Sequence, residues 1–171
     1  MSIITRMRIL NRPLADELLK LAEVDQTMRM NVIAGEAEWD SAVDEISQTQ
    51  LKAIVRGGGW PTISTVGADA SHAAWLIVQH APSLDFMKEC LELMTSLPNG
   101  EVDPKDIAYL KDRVLMLSGK SQIYGTQFIG AGKDMHVYPI EDAERVNERR
   151  ASIGLGTIAE DEAALHQLHK E

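Results

Sequence analysis

The sequence places one carboxylate where the pattern of the first predicted helix calls for an apolar residue. The apolar stripe of this helix consists of Leu14, Leu18, Leu21, Met28 and Val32. Asp25 falls in the middle of that stripe, and Arg29, one turn further on, is a candidate partner. Because a bare buried charge is very unfavourable, Asp25 must be paired or hydrogen-bonded. It is therefore either half of a buried ion pair or a cap for another helix, or else an acid, base or substrate anchor with a shifted pKa.

A polar strip on the most apolar predicted helix is the second departure from the local pattern. His72, Gln79 and His80 fall within roughly a quarter of the helix circumference. The strip indicates either a cleft or a satisfied network of core hydrogen bonds. The two histidines would lie ~12 Å apart along the axis, whereas zinc–nitrogen bonds measure ~2.1 Å, so we expect no metal shared between them. Since the sequence has no His-x-x-x-His or cysteine-rich pattern, it predicts neither a metal nor a cofactor.

A third polar group lies in the segment 122–127, which alternates like a strand. Gln122, Tyr124 and Thr126 would share one face, unless Gly125 introduces a bulge. Phenol and amide groups together can polarise a carbonyl group, so Tyr124 and Gln127 are candidate donors to a developing oxyanion. The alternative is an edge strand with polar cross-strand pairs.

Three further features have a structural as well as a chemical interpretation. Arg149 and Arg150 lie on one helix, and we expect one to point inward to a carboxylate such as Asp25 and the other to be solvated. The three glycines at 57–59 lack the lysine and the strand-to-helix context of a phosphate loop, which favours helix termination. Cys90 falls on an apolar helix face, which favours a core residue over a nucleophile.

A mainly helical framework is predicted to position these residues. The sequence predicts helices over about residues 13–35 and 40–55, then a short turn or half-helix around 62–66, and then helices over about 69–80, 84–97, 103–119 and 141–153 and a terminal helix from 157. The expected inward side of the second helix consists of Val43, Ile46, Ser47, Gln50, Leu51 and Ile54. Asp69 or Ser71 is the expected N-cap of the fourth helix, and Thr157 forms a capping box with Glu160.

The stretches 121–128 and 136–140 are extended in character and predict a β-hairpin with a longer loop at 130–134. The predicted fold class is therefore mainly α. We expect a single-domain bundle of about six to eight helices over residues 1–171, with a small β-hairpin near residues 121–140.

Composition excludes several classes of protein. Seventeen basic and 26 acidic residues among 171 give a net charge of −9, which disfavours nucleic-acid binding. The longest apolar run has six residues, at 73–78, whereas a membrane span needs roughly 20. Residues 1–13 contain no apolar core of a signal peptide, and the single Cys90 fits a reducing compartment. We expect a cytoplasmic protein whose partner is a small-molecule or peptide-like ligand, in an oligomeric state that the sequence leaves open.

Four short motifs stand in order along the chain: GWPT at 59–62, AAWLIVQHA at 73–81, QIYGTQ at 122–127 and NERR at 147–150. They follow the element Asp25-Gln26-x-x-Arg29. Together they resemble a bacterial family catalogued as a domain of unknown function and common in actinobacteria. The resemblance extends over about residues 18–155. It implies no particular activity, but it implies that eight residues match family motifs. These are Asp25, Arg29, Trp60, Gln79, His80, Tyr124, Gln127 and Arg150.

The leading hypothesis from the sequence is a small enzyme that uses acid–base chemistry for hydrolysis, cyclisation or isomerisation. His80 would be the general base or acid, because histidine titrates near neutral pH, and Asp25 would orient it or hold a substrate cation. Tyr124 and Gln127 complete the predicted catalytic set. The predicted substrate-binding residues are Arg29, Trp60, His72, Gln79 and Arg150. The alternative is a non-catalytic ligand- or protein-binding module in which these polar residues form a structural network.

Overall fold

The computed structural model describes residues 11–130 and 134–168. Within them it is mainly helical, with eight α-helices and a two-stranded antiparallel hairpin, which confirms the predicted fold class. The chain divides into two compact units, residues 1–103 and 104–171. The expectation of one domain over residues 1–171 stays a prediction.

The first unit consists of five helices: α1 (Arg12–Ile33), α2 (Ser41–Gly58), α3 (Ile63–Val66), α4 (Ala68–His80) and α5 (Leu84–Ser96). Three of them begin at side-chain caps, because the oxygen atoms of Asn11, Asp40 and Ser83 accept hydrogen bonds from backbone N–H groups of the first turn. α4 is the central helix. Its buried residues are Ala70, Ser71, Ala73, Ala74, Trp75, Ile77, Val78 and Gln79.

Two helix boundaries in this unit differ from prediction because of glycine geometry. α2 runs through Gly57 and Gly58, and its C-cap is Gly59, which has a φ of 78° and donates its N–H to the carbonyl of Val55 at 2.8 Å. The N-cap of α4 is Gly67, with a φ of 89°, and not Asp69 or Ser71. Since α3 ends at Val66, only a left-handed residue at Gly67 allows the next helix to begin at once.

The buried sides of α1 and α2 are rotated relative to the predicted stripes. On α1 the buried residues are Ala15, Leu18, Ala22 and Asp25, and on α2 they are Ser47, Leu51 and Val55. Ile46 was predicted to face inward, which is wrong, since it is 56% exposed. Small side chains take the inward positions because they let α1 and α4 approach closely.

The second unit consists of α6 (Pro104–Leu117), the strands β1 (Phe128–Ile129) and β2 (His136–Val137), α7 (Val146–Ser152) and α8 (Ile158–Leu168). Phe128 pairs with Val137 and Ile129 with His136. The loop residues 131–133 and His169 lie outside the described residues. The capping box at the start of α8 is confirmed, because the backbone N–H of Thr157 donates to the Glu160 carboxylate at 2.6 Å and the Glu160 N–H donates to the Thr157 hydroxyl at 3.3 Å.

Two elements of this unit are shorter than predicted. The strands cover only four residues, and outside them a single parallel bridge joins Gln122 to Ile140. The helix expected over 141–153 begins as a 3-10 turn at Ala143–Arg145 and becomes α-helical only at Val146. No helix of the described residues combines the length and the apolar character needed to cross a membrane.

Candidate acid–base site

The buried carboxylate of Asp25 is the centre of the candidate site. Asp25 is 1% exposed on the inward side of α1, as its position among apolar residues predicts. Its Oδ2 accepts a hydrogen bond from Nε2 of Gln26 at 2.8 Å. Nη2 of Arg29 donates to Oδ1 at 3.0 Å, while Nε lies 3.2 and 3.3 Å from the two oxygens. The predicted pairing of Asp25 with Arg29 is therefore present, and the carboxylate is satisfied by several donors.

His80 joins this cluster from another helix. It is the last residue of α4, and its Nδ1 lies 2.9 Å from Oδ2 of Asp25. The His80 side chain remains 22% exposed. Its other ring nitrogen, Nε2, has no hydrogen-bond partner among the residues that the structure describes. The arrangement holds one side of the imidazole against a buried carboxylate and leaves the other side available to a ligand.

Asp44 is a fourth member of the cluster that the sequence interpretation missed. Its Oδ1 lies 2.5 Å from Nη2 of Arg29, so one guanidinium bridges a carboxylate of α1 and a carboxylate of α2. The signal was present in the sequence: Asp44 stands one turn before Ser47 and therefore extends the buried side of α2. Assigning Ile46 to that side obscured it. The indole of Trp39 also contacts Arg29, with the guanidinium carbon 4.8 Å from the ring centroid.

The two carboxylates of the cluster differ electrostatically. Burial raises the pKa of Asp25, but the hydrogen bonds and charges of His80 and Arg29 outweigh it and lower that pKa to about 2. Burial raises the pKa of Asp44, and the negative charge of Asp25 adds to this effect, although Arg29 opposes it. Asp25 is therefore the firmly ionised carboxylate, while Asp44 is the one that takes up a proton more readily.

Three more of the predicted site residues belong to the first unit: Trp60, which precedes α3, and His72 and Gln79, which lie on α4. The side chains of Trp60 and Gln79 are buried, and neither Nε1 of Trp60 nor Oε1 of Gln79 has a hydrogen-bond partner among the described residues. His72 is exposed and stacks on Trp75, with the ring centroids 4.7 Å apart. Gln79 therefore offers a buried acceptor next to His80 in sequence.

In the second unit, Asp112 organises the segment that contains Tyr124 and Gln127. The Asp112 side chain is fully buried on α6 and accepts hydrogen bonds from three backbone N–H groups, those of Ile123, Tyr124 and Thr126, at 2.8 to 3.1 Å. The Thr126 hydroxyl donates to it as well, at 3.0 Å. These N–H groups bond a carboxylate instead of a neighbouring strand, which is why the predicted long hairpin is replaced by a loop. Asp112 was missed by the sequence interpretation.

The predicted donors of this segment differ in availability. The amide of Gln127 is buried, and it donates to the hydroxyl of Thr126 at 3.1 Å and accepts from Arg113 at 3.4 Å. The ring of Tyr124 is half-buried, and its hydroxyl has no hydrogen-bond partner among the described residues. Only Tyr124 therefore keeps a free polar group.

Both arginines of the NERR motif bind backbone carbonyl groups. Arg150 is completely buried; it donates to the carbonyl oxygens of Tyr124, Gly125 and Gly156 and pairs with Asp161, not with Asp25. One of the two arginines was expected to be solvated, yet Arg149, the less buried of them, is only partly exposed. It donates to the carbonyl oxygens of Ile123, Glu141 and Asp142 at 2.7 to 3.0 Å.

A groove on the first unit is separate from His80. It has a volume of about 580 Å³ and lies between α1 and the start of α2, with Glu23, Glu38 and Asp40 beside the apolar side chains of Val24 and Met28. None of the predicted site residues lines it. We place the candidate site at His80 because the groups able to move a proton are there, and volume alone does not supply chemistry.

Among the described residues, no group of three or more histidine, cysteine or acidic side chains is placed to hold a metal ion. Cys90 is buried on α5, and burial raises the pKa of its thiol to about 12, which suits the core residue favoured by the sequence.

A family model matches residues 12–168, and its description is a family of unknown function, DUF6624. The chain belongs to this family. No curated protein and no solved structure matches it. The DUF6624 match includes both compact units, and therefore both the cluster around Asp25 and the loop around Asp112.

Proposed function

We propose that this DUF6624 protein is an enzyme that uses acid–base chemistry on a polar small molecule or a peptide-like substrate. His80 is the general base, and Asp25 is the carboxylate that orients it. The observation that carries the proposal is the 2.9 Å contact between the buried Oδ2 of Asp25 and Nδ1 of the partly exposed His80. A carboxylate on one ring nitrogen fixes the orientation of the imidazole, while the other nitrogen moves protons.

The proposed reaction follows from what such a pair can do without a covalent intermediate. Nε2 of His80 takes a proton from water as the water oxygen bonds to the carbonyl carbon of an amide or ester. The bond to the leaving nitrogen or oxygen then breaks, and Nε2 returns the proton to that atom. Removing and returning a proton on one substrate would support isomerisation by the same device. The high pKa of the buried Cys90 thiol argues against cysteine as a nucleophile.

The surroundings of His80 do not favour a negatively charged substrate. The guanidinium of Arg29 already contacts both Asp25 and Asp44, so its charge is shared between two carboxylates before any substrate arrives. Oε1 of Gln79 is an acceptor without a partner among the described residues, but it is buried and a substrate does not reach it in this conformation. A role for Tyr124 as an oxyanion donor stays a prediction.

The test compares turnover by the protein with turnover by His80→Ala. Both are incubated with a panel of chromogenic esters and aminoacyl anilides and with a bacterial metabolite extract, and products are followed by absorbance and mass spectrometry. We expect turnover that His80→Ala loses and that His136→Ala, a change at an exposed histidine of the hairpin, retains. If products form equally with His80→Ala, or if the two proteins leave every substrate unchanged, the proposal is wrong.

The groove between α1 and α2 favours a second candidate function, a non-catalytic binding module. Its apolar side chains and its three carboxylates suit an organic cation with an apolar body. In that case hexylammonium should bind in a calorimetric titration and hexanoate should not. Glu23→Gln should weaken the binding, and His80→Ala should leave it unchanged.

A further inference from the structure

The hydrogen-bond geometry around Nδ1 of His80 presents a choice between two tautomers. Nδ1 lies 2.9 Å from Oδ2 of Asp25, an acceptor, and 3.0 Å from Nε of Arg29, a donor. In the neutral ring Nδ1 either carries a proton and donates to Asp25, or carries a lone pair and accepts from Arg29. The tautomer decides the chemistry of Nε2, because Nε2 is a base only when the proton is on Nδ1.

Asp25 and Arg29 favour opposite tautomers. With a lone pair on Nδ1, two electron-rich atoms would face each other at 2.9 Å with no hydrogen between them, so Asp25 favours the proton on Nδ1. The N–H of Arg29 Nε favours the lone pair on Nδ1. That N–H also lies 3.2 and 3.3 Å from the oxygens of Asp25, so its direction determines which tautomer is supported.

Asp44 fixes the direction of the Arg29 guanidinium. Nη2 of Arg29 donates hydrogen bonds to two carboxylates. It lies 3.0 Å from Oδ1 of Asp25 and 2.5 Å from Oδ1 of Asp44. These two contacts hold the Nε–Nη2 edge of the guanidinium along the carboxylate of Asp25. The indole ring of Trp39 lies against one face of the guanidinium. With Asp44 in place the single Nε–H is shared between the Asp25 carboxylate and Nδ1 of His80. Without Asp44 the guanidinium could turn about its contact with Asp25 and give its Nε–H wholly to His80.

We infer that Asp44 is a positioning residue that acts through Arg29 to keep the proton of neutral His80 on Nδ1 and the lone pair on Nε2. Its relevance to catalysis rests on the proposed function, since only a base needs a free Nε2. The tautomer itself is a property of the free protein and is measured without substrate.

The experiment is a long-range proton–nitrogen NMR correlation of the full chain labelled with nitrogen-15 in histidine, at a pH where the imidazoles are neutral. The ring signals of His80 are identified among the five histidines by their loss in His80→Gln. We expect the Nδ1–H tautomer in the unsubstituted protein. If Nε2–H predominates there, the inference is overturned without any further variant.

Variants then test the part played by Asp44. In Asp44→Asn we expect the ratio of Nε2–H to Nδ1–H to rise roughly tenfold, the effect of redirecting one hydrogen bond from a charged donor. Glu45→Gln removes the neighbouring, exposed carboxylate of α2 and should leave the ratio unchanged. In Arg29→Met with Asp44→Asn the competing donor is absent, so the ratio should return to that of the unsubstituted protein.

An unchanged ratio in Asp44→Asn, or a raised ratio that persists in the double variant, would overturn the role of Asp44. The result is separable from the proposed function. If the tautomers are as expected but no substrate is turned over, only the proposed enzymatic function is contradicted. Turnover together with the wrong tautomer would contradict only the positioning role.

Discussion

Oδ2 of Asp25, near the middle of α1, lies 2.9 Å from Nδ1 of His80, the last residue of α4. The contact joins a carboxylate with almost no exposed surface to an imidazole that water reaches. Arg29 and Asp44 extend the contact to α2, so that three helices meet at one polar cluster.

Substitutions at Asp25 should differ sharply in stability. Asp25→Leu leaves Arg29 half-buried with only Asp44 as its carboxylate partner, and we expect a loss of about 3–5 kcal/mol. Asp25→Asn keeps one oxygen acceptor, and we expect a loss of about 1–3 kcal/mol. Urea unfolding at neutral pH measures both. Equal stability of the two variants would show that hydrogen bonding at Asp25 does not stabilise the fold.

Acid should destabilise the protein through the same residue. The pKa of Asp25 is about 2 in the folded protein against 3.8 ordinarily, so the folded state binds this proton less tightly than the unfolded state. The lowered pKa of Asp25 therefore contributes about 2 kcal/mol to the free energy of unfolding above pH 4, and this contribution is lost as the pH falls from about 4 to about 2. The difference in unfolding free energy between the unsubstituted protein and Asp25→Asn should therefore shrink over that range. A constant difference would contradict the prediction.

Asp112 should stabilise the second unit by about as much free energy as Asp25 stabilises the first. Asp112→Ala leaves the N–H groups of Ile123, Tyr124 and Thr126 without their acceptor, and we expect a loss of about 3–5 kcal/mol. Amide hydrogen exchange at these three residues should accelerate in Asp112→Asn, which keeps only one oxygen. If exchange there does not change, the side chain is not what holds the loop.

Gly125→Ala and Gly119→Ala form a matched pair of substitutions. Both glycines have a left-handed φ, of 67° and 70°, so each alanine incurs a backbone strain of about 1–2 kcal/mol. A Cβ at Gly119 meets nothing within 4 Å, whereas one at Gly125 runs into the side chains of Ile158 and Ile140. We expect Gly125→Ala to cost about 1–3 kcal/mol more, measured by thermal unfolding. Similar losses at both sites would contradict this close packing.

The sequence allowed prediction of those parts of the site that break a periodic pattern. Asp25 stands out because its neighbours at helical spacing are apolar, and Arg29 follows from the spacing of one turn. Asp44 was missed because the predicted inward side of α2 included Ile46 beside Ser47 and passed over the carboxylate one turn before Ser47. The inward side of α2 consists of Ser47, Leu51 and Val55, and which side of α2 is buried depends on the helices packed against it and not on α2 alone.

The second unit was harder to predict because side chains replace backbone partners there. Residues 122–127 have the alternation of a strand, yet in the middle of this segment three N–H groups bond to Asp112 and three carbonyl groups accept from arginines of α7. Alternation reports which side a residue faces and not what its backbone bonds to. The extent of the hairpin therefore could not be read from the pattern.

The buried guanidinium of Arg150 makes the last helix indispensable to its unit. Its partners are the carbonyl groups of Tyr124, Gly125 and Gly156 and the carboxylate of Asp161 on α8. If α8 detached, the buried guanidinium of Arg150 would lose its carboxylate partner. We therefore expect the loop at 122–127, α7 and α8 to fold and unfold together. A proteolytic cut between α7 and α8 should thus unravel the whole unit at once instead of trimming its end.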